Sequence, residues 1–136
     1  MKKIISIIIL LFSLSFVYSQ SSPEELTSKF FELYQKEGAS KAVEYVFSTN
    51  KYMDKNSDIL VQIQSRLNQL VNLVGNYNGY ELVQSKYIGE SYLQQSFMLK
   101  YDRQPIKFIF LLYKPKDVWQ IQNLRFDDKF DDEFNN

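Results

Sequence analysis

The chain has 136 residues, 45% of them hydrophobic and 16% aromatic, which is ample for one packed domain and too little for two. Its 16 basic residues balance 16 acidic ones, so it lacks the concentrated basic surface that nucleic-acid binding by counterion release requires. Histidine and cysteine are both absent, which excludes Ser-His and Cys-His nucleophile pairs, histidine metal ligands, an imidazole pH switch and disulfides.

The amino terminus reads Met1-Lys2-Lys3, then an apolar run from Ile4 to Phe12 that continues, diluted by serines, to Tyr18. This is the charged-then-apolar order of a secretory signal, and Val17-Tyr18-Ser19 supplies the short exit sequence that signal peptidase tolerates. Residues 1–19 are therefore expected to be a cleaved signal, with Gln20 as the new terminus. A membrane anchor needs about 20 apolar residues, whereas Ser6, Ser13 and Ser15 interrupt this shorter run. Without a cysteine there is no lipobox for an acyl anchor, so the expected product is exported, periplasmic or extracellular, and free of the membrane. Removing Lys2 and Lys3 from the 16 basic residues leaves 14 against 16 acidic ones, a net charge of −2. With no disulfide to help, burial alone must hold the domain.

Ser22-Pro23-Glu24-Glu25 opens a first helix: Ser22 caps, Pro23 sits where its missing N–H costs nothing, and Glu25 can close a capping box. Leu26, Phe30, Leu33 and Tyr34 share one face, and Gly38 ends it. A second helix is predicted from Ser40, with Ala42, Val43, Val46 and Phe47 as its apolar stripe, fading at Ser48-Thr49-Asn50. After a turn over residues 51–56, a third helix is capped within Asn56 to Asp58. It carries Ile59, Ile63, Leu67, Leu70, Val71 and Val74 at helical spacing, faces Gln62, Gln64, Arg66, Asn68 and Asn72 to water, and stops at Gly75.

After Gly79 the hydrophobic period falls from 3.6 to about 2. Four strands are predicted, Tyr80 to Ile88, Tyr92 to Tyr101, Ile106 to Tyr113 and Val118 to Phe126, joined by links too short for anything but an antiparallel meander. In the second, Leu93, Phe97, Leu99 and Tyr101 alternate with polar residues, the pattern of a sheet with one covered face. In the third, Ile106, Phe108, Phe110 and Leu112 point one way and Ile109, Leu111 and Tyr113 the other, so both faces are expected to be out of water, by curling of the sheet or by a second subunit. The spacing of Trp119, Ile121, Leu124 and Phe126 predicts a β-bulge near Gln122-Asn123. Beyond residue 126 an acidic tail, residues 127–136, places Phe130 and Phe134 four residues apart after Phe126. That interval would align the three rings on one side of a short helix. Its carboxylates lack the alternating ligands and sharp-turn glycine of a calcium loop, so no metal site is expected.

The predicted fold is thus α+β, one domain over residues 20–126, with three amino-terminal helices packed on a curved four-stranded antiparallel sheet. This order, the long third helix ending in Gly75, the Trp119-x-Ile121 final strand, and the stretches Gly75-Asn76-Tyr77-Asn78-Gly79-Tyr80 and Tyr113-Lys114-Pro115-Lys116-Asp117-Val118-Trp119 resemble small exported bacterial members of the nuclear transport factor 2-like superfamily. The resemblance covers about residues 22 to 128. It implies a cone-like, cystatin-like wrap of the sheet around the helices, with an open end that often holds a small apolar ligand, and pairing through the outside of the sheet. It also admits isomerases, dehydratases and epoxide hydrolases that work with Asp, Tyr, Arg or His inside the cone. No such catalytic signature matches here residue by residue, so no catalytic residue and no cofactor is assigned, and the fold by itself hardly narrows function.

Four residues combine an apolar body or short arm with a polar tip and are candidates to line a cavity, with packing in the core as the alternative: Tyr34, Gln95, Tyr101 and Trp119. Asp102 and Arg103, beside Tyr101, form a polar group able to bind or polarise a carbonyl, or else a charged hairpin tip in solvent. The leading expectation is an exported, non-catalytic binding module that takes a small apolar ligand in the cone or a protein partner, including a homodimer, through the sheet. The alternatives are an isomerase- or hydrolase-type enzyme using Asp, Tyr and Arg in the cone, and an immunity or inhibitor protein.

Overall fold

In a computed structural model that describes residues 20–135, three helices precede an open, curved antiparallel sheet. The helices are α1 (Pro23–Glu37), α2 (Ala39–Ser48) and α3 (Asp58–Val74). The strands are β1 (Tyr77–Ile88), β2 (Tyr92–Tyr101), β3 (Ile106–Tyr113) and β4 (Gln120–Asp127), paired in chain order. The α+β class read from the sequence is the class observed. The expected signal, residues 1–19, lies outside the described residues.

Each helix begins where its capping chemistry places it. The Glu25 N–H donates to Ser22 Oγ at 3.2 Å, and the Ser22 N–H donates to the Glu25 carboxylate at 3.2 Å, closing the capping box. Gly38, at φ 92°, ends α1 by donating its N–H to the Tyr34 carbonyl and hands the chain directly to α2. Ser57 caps α3 through the Leu60 N–H at 3.3 Å. Here the inward seam is Leu60, Leu67 and Val74, with Ile63, Leu70 and Val71 beside it. Seven residues are close to two helical turns, so those three stack along one line. Ile59, about 100° round the helix from Leu60, faces water instead of the core.

α3 ends at Gly75 as expected, and β1 begins at Tyr77, three residues before the expected start at Tyr80. Gly75 adopts φ 90°, and a Cβ there would stand 3.0 Å from Asp102 Cβ, so glycine is needed for both conformation and space. Tyr77 already pairs with Tyr101, and Asn78 is an extra residue in the ladder before Gly79 meets Lys100. The predicted bulge in β4 is present. Leu111 faces Asn123 while Leu112 faces Ile121, leaving Gln122 unpaired and returning Leu124 to the core side. A further bulge at Val83, between the pairs Leu82–Phe97 and Gln84–Ser96, was not legible from the alternation.

The core lies between α1 and the helix-facing side of β2, β3 and β4. Phe30 is its centre, with ring centroids 5.0 Å from Phe110, 5.2 Å from Phe31 and 6.0 Å from Phe108. On β3 the helix-facing residues Ile106, Phe108, Phe110 and Leu112 are fully buried, while on the other side Ile109 and Leu111 are half-buried and Tyr113 is exposed. Part of that outer side is covered by the carboxyl-terminal segment. The Glu133 carboxylate lies 3.6 Å from the buried Lys107 Nζ, and the Phe130 ring stands 5.8 Å from the same ammonium.

The expected alignment of Phe126, Phe130 and Phe134 along one helix is not what the chain forms. Phe126 belongs to β4 and packs against Phe108 in the core, 5.5 Å between centroids. The Asp127 side chain then accepts the Lys129 N–H at 2.8 Å, a two-residue turn that carries the chain over the sheet edge. Phe130 consequently sits on the outer side, and Phe134, in the short 3-10 turn Asp131–Phe134, is 85% exposed.

Candidate functional site

Two of the four predicted cavity residues meet. α1 projects Tyr34 and β2 projects Tyr101 into the core, where their hydroxyls hydrogen-bond to each other. Tyr77 of β1 packs edge-on against Tyr34 at 5.0 Å and lies 5.8 Å from Tyr101. One of the two buried hydroxyls donates and the other accepts, so each has a partner in the other. Burial holds the phenols in the neutral form: it pushes Tyr34 and, far more, Tyr101 above the ordinary tyrosine range, and raises Tyr77 to about 12.

A pH dependence follows from those directions. Because the folded pKa values lie above the unfolded value of about 10, the stabilisation is complete below pH 10 and is lost as pH rises through the folded values. An ultraviolet phenolate titration should show a last group of tyrosines that ionise near pH 12 or above, together with loss of near-ultraviolet circular dichroism. Ionisation of every phenol near the ordinary value with the fold intact would contradict the packing described.

Asp102 and Arg103 act as a clamp between the β2–β3 turn and the end of α3. Asp102 accepts from the Asn78 side chain at 2.9 Å and from the Asn76 N–H at 3.1 Å, and these bonds hold its carboxyl below the usual range. The Arg103 guanidinium donates to the Leu73 carbonyl at 3.0 Å and its backbone N–H to the Val74 carbonyl at 3.0 Å. Carbonyls left unpaired at the end of α3 are satisfied this way. Both side chains are committed to that junction and lie at the surface.

Gln95 is buried on the helix-facing side of β2, six residues from Tyr101, about 20 Å along the strand. It cannot share a small ligand with the tyrosines. Thr27 Oγ1 lies 3.2 Å from both the Pro23 carbonyl and the Gln95 carboxamide oxygen. A hydroxyl has one proton, so Thr27 can donate either to the Gln95 carbonyl or to the helix carbonyl, and the first ties α1 to β2. Trp119 lies apart from the other three, just before β4 and half-buried, edge-on to Tyr87 at 6.3 Å and under the Lys114 ammonium at 5.4 Å.

On β1 the helix-facing residues Tyr80, Leu82 and Tyr87 are 39%, 55% and 50% exposed, because α1 lies over β2 and β3 and touches β1 through Phe31, whose ring stacks on Tyr80 at 3.9 Å. Between the first turns of α1 and this strand runs a groove of about 300 Å³. Glu24, Thr27 and Ser28 form one wall, Tyr80 and Leu82 the other, and Gln95 and Phe97 the floor. Of these, only Gln95 was singled out from the sequence. The overlooked signal is positional: the first strand of a meander is an edge, so apolar residues there need not be covered.

Among the described residues the Asp and Glu side chains lie at the surface, except that of Glu133, which is 18% exposed against Lys107. Among them, no group of three or more potential metal-ligating side chains converges, and no helix is long and apolar enough to cross a membrane. Compared with known proteins, the chain matches no family model, no curated protein and no solved structure.

Proposed function

We propose that the chain is an exported, non-catalytic binding module that takes a protein partner along the free edge of β1 and the groove between β1 and α1. The observation that carries this reading is β1 itself, a twelve-residue edge strand on which Leu82, Tyr87 and Ile88 are half or more exposed and Tyr80 more than a third. Edge strands of that length and polarity are normally blunted or covered, and an added strand satisfies their free N–H and C=O groups while pockets read alternate side chains. The groove sets the polar side chains of Glu24, Thr27, Ser28 and Gln95 against the apolar Tyr80, Leu82 and Phe97.

A partner is favoured over a small ligand in a cone because the interior is occupied by Phe30, Phe31, Phe108 and Phe110. The enzyme reading needs a desolvated carboxylate inside the cone, and the carboxylates lie at the surface or, for Glu133, against Lys107 on the outer side of the sheet. The charged-then-apolar order of residues 1–19 supports export. Helix order and meander support placing the chain with the nuclear transport factor 2-like proteins, by layout alone.

Nitrogen-15 NMR of the chain titrated with a short, capped peptide of alternating valine and tyrosine tests the reading. Shifts should concentrate at residues 77–88 and at Thr27 and Phe97. Silence at millimolar peptide, or shifts confined to α2 and α3, would overturn it.

A further inference from the structure

We propose that the partner on β1 is a second copy of this chain, added antiparallel about a two-fold axis that passes between Val83 and Gln84. The inference rests on the reading of β1 as a binding edge and adds which strand fills it, and in what register.

The register comes from the bulge. Up to Leu82, even-numbered residues of β1 face the helices: Tyr80 pairs with Leu99 and Leu82 with Phe97 on the buried side of β2. After the extra residue Val83 the parity reverses, so Ser85, opposite Gln95, and Tyr87, opposite Leu93, face the helices. Glu81, Gln84, Lys86 and Ile88 face the other way, opposite Met98, Ser96, Gln94 and Tyr92. A two-fold that pairs antiparallel edge strands stands perpendicular to the sheet, so the helix-facing sides of both copies must coincide. Where the two halves of the strand meet across the bulge, that condition admits only registers in which an even-numbered residue meets an odd-numbered one.

Among those registers one pairs the strand's opposite charges. It sets Glu81 against Lys86 of the second copy, twice by symmetry, on the outer side. On the helix-facing side it sets Tyr80 against Tyr87 and Leu82 against Ser85, again twice, bringing the exposed rings and leucines together over the axis. A slip of two residues in total places Glu81 opposite Gln84 in one direction or Ile88 in the other, and both charge pairs are lost. Lys86 and the bulge are devices that ordinarily keep an edge from sticking to other strands. In this register they become selective instead, since a foreign strand without an acid at that place leaves Lys86 unpaired. Glu81 remains within 3.6 Å of Lys100 of its own chain, so the dimer adds a second cation to a carboxylate already oriented.

Sedimentation of the wild type and of Glu81→Lys and Lys86→Glu over a concentration series tests this. The wild type should form a dimer, and each reversal, which turns two attractions into two repulsions, should weaken it about tenfold. An equimolar mixture of the two variants should regain wild-type affinity as a heterodimer. There the lysine introduced in one chain meets the glutamate introduced in the other, while the unaltered Lys86 and Glu81 pair as before. A wild type that stays monomeric at millimolar concentration, or a dimer indifferent to both reversals, would overturn the proposal. A monomer that still binds the valine-tyrosine peptide along β1 removes self-pairing alone, and a monomer silent to the peptide removes the edge reading as well.

Discussion

Replacing Phe30 with alanine is expected to lower the unfolding free energy by about 3–5 kcal/mol. Phe30 is fully buried and its ring contacts Phe31, Tyr34, Phe108 and Phe110, so it joins α1 to β3 at the middle of the core. Removing it forfeits both the transfer free energy of the ring and the dispersion contacts of the walls left behind, since a filled β-sheet face on one side and a capped helix on the other can collapse only partly. A domain of this size has about 5–15 kcal/mol in total, and there is no disulfide to supplement it. Urea unfolding followed by circular dichroism measures the loss. Phe134→Ala, at an 85% exposed ring, should change stability by no more than about 0.5 kcal/mol in the same assay. Equal losses for the two would contradict the assignment of the core.

Tyr34→Phe and Tyr101→Phe should each cost about 1–3 kcal/mol, because each leaves the other hydroxyl in an apolar setting with its partner gone. The double variant removes both groups together. It should therefore cost clearly less than the sum of the singles, the coupling expected of two side chains that bond to each other. Additive losses would mean that each hydroxyl has an independent partner. The cycle also separates packing from polarity, since phenylalanine keeps the ring contacts to Tyr77 and Phe108 in every variant.

Much of this architecture was legible in the sequence because local chemistry and hydrophobic period agreed. Ser22 to Glu25 announced a capped helix, and the spacing of Trp119, Ile121, Leu124 and Phe126 required the extra residue found at Gln122. Where the reading slipped, a tertiary contact overrode a local signal. Gly79 resembled the last helix-to-sheet turn, yet Asp102 reaches across from the β2–β3 turn to Asn76 and Asn78 and starts the strand earlier. The interval of four between Phe126, Phe130 and Phe134 suggested a helix, but pairing with β3 holds Phe126 in a strand.

The candidate site was less legible, for a related reason. Polar-tipped aromatics suggest a cavity, and a sequence does not say that the tips of Tyr34 and Tyr101 satisfy each other. Nor does alternation distinguish a covered strand from a bare edge: Tyr80, Leu82 and Tyr87 read like the core residues of β2, and only the position of α1 over β2 and β3 leaves them open. The doubly apolar character of β3 overstated its burial, since Tyr113 is exposed and Ile109 and Leu111 are only half-buried. Its outer side is half-buried by its neighbours and by Lys107 with the folded-back tail, whereas the unfilled apolar surface lies at the edge of the sheet.

Amide hydrogen exchange along β1 tests the central claim most directly. In dilute, unliganded chain, alternate amides of residues 77–88 should exchange rapidly while those of β2 and β3 persist, and the fast set should slow when the edge is filled by peptide or by raised protein concentration. Uniform protection along β1 in a chain shown to be monomeric and free of ligand would mean that no edge is open, and the binding role assigned to it would be wrong.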